Sequence, residues 1–412
     1  MESSHKTKKT IALLTIILTS GGLDRQIISL CEFFIENGYT VYIYSLLPKQ
    51  QFNTLVKSSE KVIINYPKNK NGIYTLFGLI KNSPIIIRLF ISLFPNTSNL
   101  KNALREVLIF NIQGKYILDR YFLDLYSQLK RDNRLGPFEF VIGFSYQTIP
   151  YLSRIKTEMR INSKYFEISS PKWRQQVKID ESGCSIFLKN IDDIIVPSKI
   201  IGEELLQRYS LNRSYSIIPL YLKMPQSLTS PDIDKYPLSF GLAARFSQEK
   251  NQDLLIKIMH HIKTKYGYVA FKLILVGSGS TEKKLREMAK EMDLEENVVF
   301  LGHVENILDF INHIGVVVLL SDVESLSATL LESLYFGKPV VATDVGSTRD
   351  LLVDGFNGFL IKDKYDIDDI ARKIISILSD KERYYTMSKN SRAIYDSSYA
   401  NVNLKLKEFF QF

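Results

Sequence analysis

Residues 316–346 read VVVLLSDVESLSATLLESLYFGKPVVATDVG and contain an apolar run, a short polar stretch, a helical pattern and a second apolar run. This order predicts a strand, a loop, a helix and a strand. Glu324 would lie on the loop at the carboxyl end of the first strand, and Glu332 on the helix that follows. Open α/β sheets bind ligands outside the carboxyl ends of their parallel strands, so both carboxylates are expected to face such a crevice. Two acids directed into one crevice indicate sugar chemistry.

The same alternation of strands and helices extends to both sides of this stretch. In the second half of the chain, we predict strands at 238–243, 272–276, 298–301, 316–320, 340–343 and 358–361, with helices at 253–262 and 280–292. In the first half, we predict strands at 11–18, 41–46, 62–65, 138–144, 165–169 and 194–197, with helices after Gly22 and at 202–209. Strands that alternate with helices indicate parallel sheets. The expected fold class is therefore α/β, with two Rossmann-like doubly wound domains.

The length of 412 residues also favours two domains, because it exceeds what one core usually holds. Residues 227–237, which include two prolines, form the predicted linker. We expect an N-terminal domain at 1–226 and a C-terminal domain at 237–394, with a helix at about 395–412 as a candidate to pack back on the N-terminal domain. Residues 66–134 are predicted helices that either cover one face of the sheet or face a membrane.

The composition is that of a globular chain, with 45% hydrophobic residues. Two cysteines, Cys31 and Cys184, cannot form a disulfide framework, which favours a reducing compartment and buried, inert thiols. The N-terminus imitates a signal peptide, but Gly21-Gly22 and an amphipathic helix follow as in a first βα unit. No apolar run reaches about 18 residues, so no spanning segment is expected and a cytoplasmic location is predicted.

The net charge of +9 is unevenly distributed along the chain. Residues 1–222 carry 29 Lys and Arg against 18 Asp and Glu, and the remainder carries 24 against 26. A basic half attracts anions, which could be nucleic acid, an anionic membrane or a phosphorylated substrate. Nucleic acid is disfavoured because no known binding motif is present. Peripheral contact with the inner face of an anionic membrane is kept as a hypothesis.

Two cations follow the first strand of the second half, in the segment AARFSQEKNQD. Arg245 and Lys250 would therefore lie at the carboxyl end of a strand, where phosphates bind. The planar fork of Arg and the mobile charge of Lys could together neutralise a diphosphate leaving group. Two glycine-rich turns, Gly21-Gly22 and 277–280 (GSGS), could let backbone approach a ligand, although tight-turn geometry explains the second turn equally well.

Two Asp-x-Asp patterns, at 232–234 and 366–368, match the metal-binding pattern of another class of sugar transferases. The first pattern lies in the predicted linker, and Asp366 is placed to cap the following helix. The five histidines show no ligand spacing. No metal site and no cofactor are expected.

Taken together, four ordered segments resemble retaining glycosyltransferases of family 4, which have the GT-B fold with two Rossmann-like domains facing a central cleft. These segments are AARFSQEKNQDLLI, LILVGSGSTEKKL, VVFLGHVENI and the Glu-x7-Glu stretch that runs into GKPVVATDVG. The N-terminal half is similar only through SGGLDRQIISLCEFFIENGYTV. The resemblance implies transfer of a hexose or N-acetylhexosamine, with retention, from a nucleoside diphosphate sugar to a glycan of surface polysaccharide synthesis. The basic N-terminal half favours a lipid-linked glycan as the acceptor.

The resemblance also implies roles for particular residues around the donor diphosphate. Arg245 and Lys250 would bind it directly and act in catalysis. Gly22 would supply an amide from across the cleft, and the helix-opening amides of Ala328 and Thr329 would meet phosphate or sugar.

Further implied roles concern the sugars and the base. Glu324 would contact the transferred sugar as a catalytic residue, Glu332 would accept hydrogen bonds from the ribose, and the backbone near Val304 would read the base. Proton transfer to the leaving phosphate itself would make a strong enzymatic base unnecessary.

Three departures from the family pattern affect the acceptor side most. Serines stand at 325 and 327, where many members have glycine, and Leu220 stands where an asparagine often follows Ile-Pro. A histidine common near the acceptor has no counterpart, and the segment FEISSPKW, with Ser169 or Ser170, is placed in that region. Two alternatives stay open: a nucleotide-sugar 2-epimerase of the same architecture, and a non-catalytic nucleotide-sugar-binding protein.

Overall fold

The computed structural model describes residues 9–17, 22–47, 61–65, 115–167, 183–222, 224, 238–304, 307–399 and 401–412. The chain divides into two compact units. The first unit comprises 1–196 with 204–216, and the second comprises 197–203 with 217–412. The predicted linker at 227–237 lies outside the described residues, and the packing of 395–412 on the N-terminal domain stays a prediction.

The first unit is built on a seven-stranded sheet with the order β3-β2-β1-β4-β5-β6-β7. Its strands are β1 (Thr10–Ile17), β2 (Thr40–Leu47), β3 (Val62–Asn65), β4 (Phe140–Phe144), β5 (Asn162–Phe166), β6 (Asp193–Val196) and β7 (Ser216–Ile217). Its helices are α1 (Gly22–Glu36), α2 (Lys115–Leu135), α3 (Ile149–Met159), α4 (Cys184–Leu188) and α5 (Lys199–Tyr209), and α5 begins in the stretch grouped with the second unit. Strands β1 to β6 pair in parallel, as predicted.

The second unit is built on a six-stranded parallel sheet with the order β10-β9-β8-β11-β12-β13. Its strands are β8 (Ser239–Ala243), β9 (Lys272–Val276), β10 (Val298–Gly302), β11 (Val316–Leu319), β12 (Val340–Thr343) and β13 (Gly358–Ile361). Its helices are α6 (Gln252–Tyr266), α7 (Glu282–Glu291), α8 (Ile307–His313), α9 (Ala328–Tyr335), α10 (Thr348–Leu351), α11 (Ile367–Leu378), α12 (Lys381–Ser398) and α13 (Val402–Phe410).

The central strands of both sheets are buried on both faces, which explains their continuous apolar sequences. Residues 11–13 of β1 and 316–318 of β11 are 0% exposed. Helix α1 presents Ile27, Leu30 and Phe34 to the core, in the predicted spacing. Both cysteines are buried, as expected.

One predicted strand is displaced by three residues. The sequence favoured 165–169, whereas β5 runs from Asn162 to Phe166. The polar start of β5 resembled a loop because Lys164 lies in the middle of the strand. The structure buries Lys164 by pairing it with Asp193 on the adjacent strand β6, so a charged residue occupies a central strand.

Each sheet has one point at which the order of the strands reverses. In the first sheet this topological switch point lies between β1 and β4, and in the second between β8 and β11. Loops at the carboxyl ends of such neighbouring strands diverge and leave a crevice for ligands. Among the described residues, no helix is both long and apolar enough to cross a membrane.

Candidate active site in the second unit

The two loops at the switch point of the second sheet carry the residues that the sequence singled out. The loop after β8 contains Arg245 and Lys250, and the loop after β11 contains Glu324. Helix α9 begins at Ala328 and contains Glu332. The predicted order of strand, loop, helix and strand is confirmed.

Lys250 and Glu324 form an ion pair across the switch point. Nζ of Lys250 lies 2.6 Å from Oε1 of Glu324, and the two side chains are 20% and 14% exposed. The buried hydroxyl of Ser321 donates to the same Oε1 at 2.9 Å. Within the described part of the chain, both contacts of this carboxylate fall on one oxygen, which leaves Oε2 available to a ligand.

Arg245 is oriented by a second carboxylate on its own loop. Its Nη2 donates to Oε1 of Glu249 at 2.9 Å, and the Ser247 hydroxyl donates to that oxygen at 2.7 Å. Burial alone would raise the pKa of Glu249, but the Ser247 hydroxyl, a backbone amide and the Arg245 charge together hold that pKa below its ordinary value. Glu249 is therefore ionised at neutral pH and holds the guanidinium in place.

Hydrogen bonds tie the two loops to each other. The amide of Asp322 donates to the carbonyl of Glu249 at 2.9 Å. The side chain of Asn251, a residue with φ of 50°, donates to the carbonyl of Leu320 at 2.8 Å. These bonds fix the position of Lys250 relative to Glu324.

Helix α9 is anchored so that its first turn lies beside the end of β8. Ser327 caps the helix by accepting from the amide of Leu330. The hydroxyl of Thr329 donates to the carbonyl of Ala243, the last residue of β8, at 2.9 Å. The amides of Ala328 and Thr329 have no intrahelical acceptor because they open the helix, so they can bind a ligand anion.

The two motif carboxylates differ in their environment. Glu332 is 0% exposed, one turn into α9, whereas the Glu324 side chain retains 14% exposure on the loop. The pair that looked equivalent in sequence is therefore unequal, with one carboxylate accessible and one enclosed.

Gly346, after β12, supports the loop that carries Glu324. Its φ is +54°, and a Cβ atom there would lie 1.9 Å from the carbonyl oxygen of Glu324. The next amide, of Ser347, donates to the carbonyl of Ser325 at 2.9 Å. The sequence pattern does not indicate the roles of Gly346, Ser321 and Glu249. The spacings Ser321-x-x-Glu324 and Arg245-x3-Glu249 were the available signals for the last two.

The glycines of the GSGS turn have a steric explanation. A Cβ atom on Gly277 would lie 2.0 Å from the carbonyl oxygen of Ala244, and one on Gly279 would lie 2.0 Å from that of Phe246. The amide of Phe246 donates to the carbonyl of Ser278 at 3.0 Å. The turn after β9 thus packs directly against the loop that carries Arg245, and glycine is needed for that contact.

Two further predicted site residues lie on elements other than those that carry the Lys250–Glu324 pair. Val304 follows β10 in the second unit, and Gly22 is the first residue of α1 in the first unit. Gly21, Ser169, Ser170 and the Asp-x-Asp pattern at 232–234 lie outside the described residues.

The second Asp-x-Asp pattern has structural partners for both carboxylates. Asp366 caps α11 by accepting from the amide of Asp369, as predicted. Asp368 accepts from His261, Lys265 and Tyr266 of α6 at 2.6–2.8 Å. These donors hold the pKa of Asp368 well below its ordinary value, so this carboxylate joins α11 to α6.

Comparison with solved structures defines the class of fold. The structure of HepE from Anabaena in complex with UDP-glucose is similar over 98% of this chain and 99% of that chain, with a TM-score of 0.70 and 17% identity. At this identity the similarity concerns the fold alone. The two parallel doubly wound sheets and this match confirm the expected GT-B fold.

The second half of the sequence is similar to known glycosyltransferases. Residues 227–394 match the family model described as glycosyl transferases group 1. An uncharacterized glycosyltransferase of Haemophilus influenzae is 26% identical over 187 residues, which cover 45% of this chain and 51% of that protein.

A relative with an assigned reaction is N-acetylgalactosamine-N,N'-diacetylbacillosaminyl-diphospho-undecaprenol 4-alpha-N-acetylgalactosaminyltransferase of Campylobacter jejuni. It is 32% identical over 178 residues, which cover 41% of this chain and 47% of that protein. The chain therefore spans about half the length of these two relatives.

Proposed function

We propose that this protein is a retaining glycosyltransferase that moves a hexose or N-acetylhexosamine from a nucleoside diphosphate sugar to a glycan. The observation that carries the proposal is the Lys250–Glu324 pair at the switch point of the second sheet. Both residues lie inside the segment that matches the glycosyl transferase family model. HepE, which shares the fold, is seen with UDP-glucose.

The cations of the β8 loop would bind the donor diphosphate. Arg245 and Lys250 stabilise the negative charge that develops as the bond between C1 of the sugar and the phosphate oxygen breaks. Amides of Ala328 and Thr329 at the positive end of α9 add to this stabilisation. Gly22 and the backbone at Val304 are the proposed further contacts, to the diphosphate and to the base.

The carboxylates would bind the two sugars of the donor. Oε2 of Glu324 accepts from a hydroxyl of the transferred sugar while Lys250 and Ser321 hold Oε1. The resemblance assigns Glu332 to the ribose hydroxyls, and donor binding would have to open the packing that encloses its carboxylate. The acceptor oxygen forms its bond to C1 on the face from which the phosphate departs, and the acceptor proton moves to the phosphate oxygen. This step needs neither a metal nor an enzymatic base.

We infer that the acceptor is a lipid-linked glycan used in surface polysaccharide synthesis. The related enzyme of C. jejuni is named for a diphospho-undecaprenol acceptor. A cytoplasmic protein that contacts the inner face of an anionic membrane would fit such an acceptor and the basic N-terminal half. Salt-sensitive binding to anionic liposomes tests this location, and equal use of lipid-free acceptors without liposome binding would contradict it.

The decisive experiment is a mass-spectrometric screen of nucleoside diphosphate sugars with glycan and lipid-linked acceptors. We expect acceptor-dependent release of nucleoside diphosphate, an α-linked product from an α-linked donor, and unchanged turnover with a chelator. Conversion of the donor to its 2-epimer would support an epimerase instead. Donor binding without turnover would support a nucleotide-sugar sensor, and activity restored only by manganese would support metal dependence.

A further inference from the structure

The turn after β4 in the first unit contains a residue in a backbone conformation that is almost restricted to glycine. Ser145 has φ of 78° and ψ of 151°. A non-glycine residue in this region is strained and persists only where the surrounding structure imposes it. Such outliers concentrate at ligand-binding sites, because the strain holds a group in a required orientation.

Hydrogen bonds from Thr148 and its close packing against β4 impose this conformation on Ser145. The carbonyl of Ser145 accepts from both the amide of Thr148, at 3.1 Å, and the hydroxyl of Thr148, at 2.8 Å. Thr148 can approach β4 because residue 143 is glycine, where a Cβ atom would lie 2.5 Å from the threonine hydroxyl and 2.6 Å from Cδ1 of Leu152. The turn is therefore clamped between β4 and α3.

Two buried polar atoms of the same turn have no hydrogen-bond partner. They are Oγ of Ser145 and Oε1 of Gln147. Among the described residues of the first unit, only five side chains carry such an atom, and two of them fall within this three-residue segment. Buried polar groups are normally satisfied, so this concentration points to a ligand that supplies the missing partners. The two atoms are buried, but residues 145–147 as a whole retain partial exposure, so a small rearrangement of the side chains would present these atoms to a ligand.

The location of the turn agrees with a binding site. Strands β1 and β4 are the neighbours at the switch point of the first sheet, and the turn at 146–148 contacts β1. Gln26 on α1, the helix that follows β1, carries another of the five unsatisfied atoms. Ligands of open α/β sheets bind at this position.

The turn itself offers hydroxyl and amide groups and carries no charge. Residues 140–153 read FVIGFSYQTIPYLS and contain no charged side chain. Hydroxyl and amide groups exchange hydrogen bonds with sugar hydroxyls, both as donors and as acceptors. An anionic ligand would require cations, which this segment does not provide.

We propose that the turn at Ser145–Gln147 binds hydroxyl groups of the acceptor glycan. This inference rests on the proposed glycosyltransferase function and assigns its acceptor site to residues that the sequence analysis did not single out. Ser145 and Gln147 are binding residues here, and the clamp by Thr148 keeps them oriented.

The test separates hydroxyl loss from relief of strain. Ser145→Ala removes the hydroxyl and keeps the strain, Ser145→Gly removes both, and Gln147→Met removes the amide at similar volume. We expect each variant to raise the KM for acceptor by about tenfold, the effect of one lost hydrogen bond, with the KM for donor within about twofold of wild type. The Tm of Ser145→Gly should rise because glycine adopts this conformation without strain.

A matched control is Thr157→Ala, which removes an exposed hydroxyl from α3 of the same unit. Its acceptor KM should equal that of wild type. If Ser145→Gly and Gln147→Met both fold and leave the acceptor KM unchanged, the turn is purely structural and the inference is wrong.

Glycan binding without turnover distinguishes this inference from the proposed function. Wild type and variants are applied to a printed array of oligosaccharides. Binding by wild type that the Ser145 and Gln147 variants lose would support the acceptor site even if no donor is turned over, in which case the proposed transfer is what fails. No glycan binding by wild type, or equal binding by all variants, would overturn the acceptor site.

Discussion

Lys250 and Glu324 are 74 positions apart in the chain, yet Nζ of the first lies 2.6 Å from Oε1 of the second. The two groups proposed to contact the donor phosphate and the donor sugar are therefore positioned by each other. A pair of low exposure loses less to solvent screening than a surface pair, so each partner holds the other in place.

We expect Lys250→Met or Glu324→Gln to lower kcat/KM by about a hundredfold or more, because each removes stabilisation of charge that develops in the reaction. The double variant should lose much less than the product of the two single losses, since the residues act together. Steady-state kinetics on all three variants measures this coupling. Lys257→Met is the control, because Lys257 pairs with Asp253 on the exposed face of α6. Independent, multiplicative losses would contradict the coupling.

Gly346→Ala should disturb the loop that carries Glu324 without touching a ligand. The added Cβ would meet the carbonyl of Glu324, so we expect at least a tenfold loss of kcat and a lower Tm. Gly355→Ala is the matched control, because Gly355 also has positive φ, at 75°, but nothing lies within 4 Å of its Cβ position. Both variants should be destabilised by a Cβ atom on a residue with positive φ, and only the first should lose activity. Equal activity in the two would show that the close approach to Glu324 has no functional effect.

Glu249→Gln should release the guanidinium of Arg245. We expect a higher KM for donor, with the increase greatest at low ionic strength, because the neutral amide holds the cation less firmly.

The same variant predicts a difference in acid stability. The pKa of Glu249 is lowered in the folded state, so its contribution to stability is complete above the unfolded pKa of about 4.3 and is lost as pH falls through the folded pKa. Urea unfolding between pH 7 and pH 3 should show wild type losing its advantage over the variant only below about pH 4.3. A constant difference over this range would contradict the assigned pKa shift.

Lys338 offers a test at alkaline pH. Its ammonium is buried and donates to the carbonyl of Asn312 at 2.7 Å, and burial lowers its pKa to about 8. The unfolded chain, with a lysine pKa of about 10.4, binds the proton more tightly than the folded protein does. Burial of the charged ammonium therefore lowers the free energy of unfolding at neutral pH, and this free energy rises again as pH increases from about 8 to 10.4. Wild type should therefore gain up to about 3 kcal/mol relative to Lys338→Met over this range in urea unfolding. Parallel pH profiles for the two proteins would contradict a lowered pKa.

The fold could be predicted from the sequence wherever a strand is uniformly apolar. Strand β12 has the predicted bounds because all four of its residues are buried and apolar or small. The start of β5 could not be predicted, because the pairing of Lys164 with a residue of the neighbouring strand exists only once the sheet is formed. Long-range pairing overrides local composition in such a strand.

In the site, too, some features could be predicted from the local sequence and others depend on long-range contacts. The positions of Arg245, Lys250 and Glu324 at strand ends followed from the pattern of strands and loops. The roles of Ser321 and Gly346 could not be read from that pattern, because a hydrogen bond to Glu324 and a contact with its carbonyl depend on how the loop folds back. The unequal burial of Glu324 and Glu332 likewise results from packing.

The packing of Gly277 and Gly279 against the Arg245 loop limits how this protein can diverge. Any side chain at either position would push on the backbone that carries Arg245, so selection should purge it even though neither glycine need touch substrate. Ser278, which is exposed between them, is the one position of this three-residue stretch open to neutral drift. In a descendant lineage that acquires a new donor, we expect substitutions on this turn to accumulate at Ser278. The flanking glycines should be retained, because the packing still requires them.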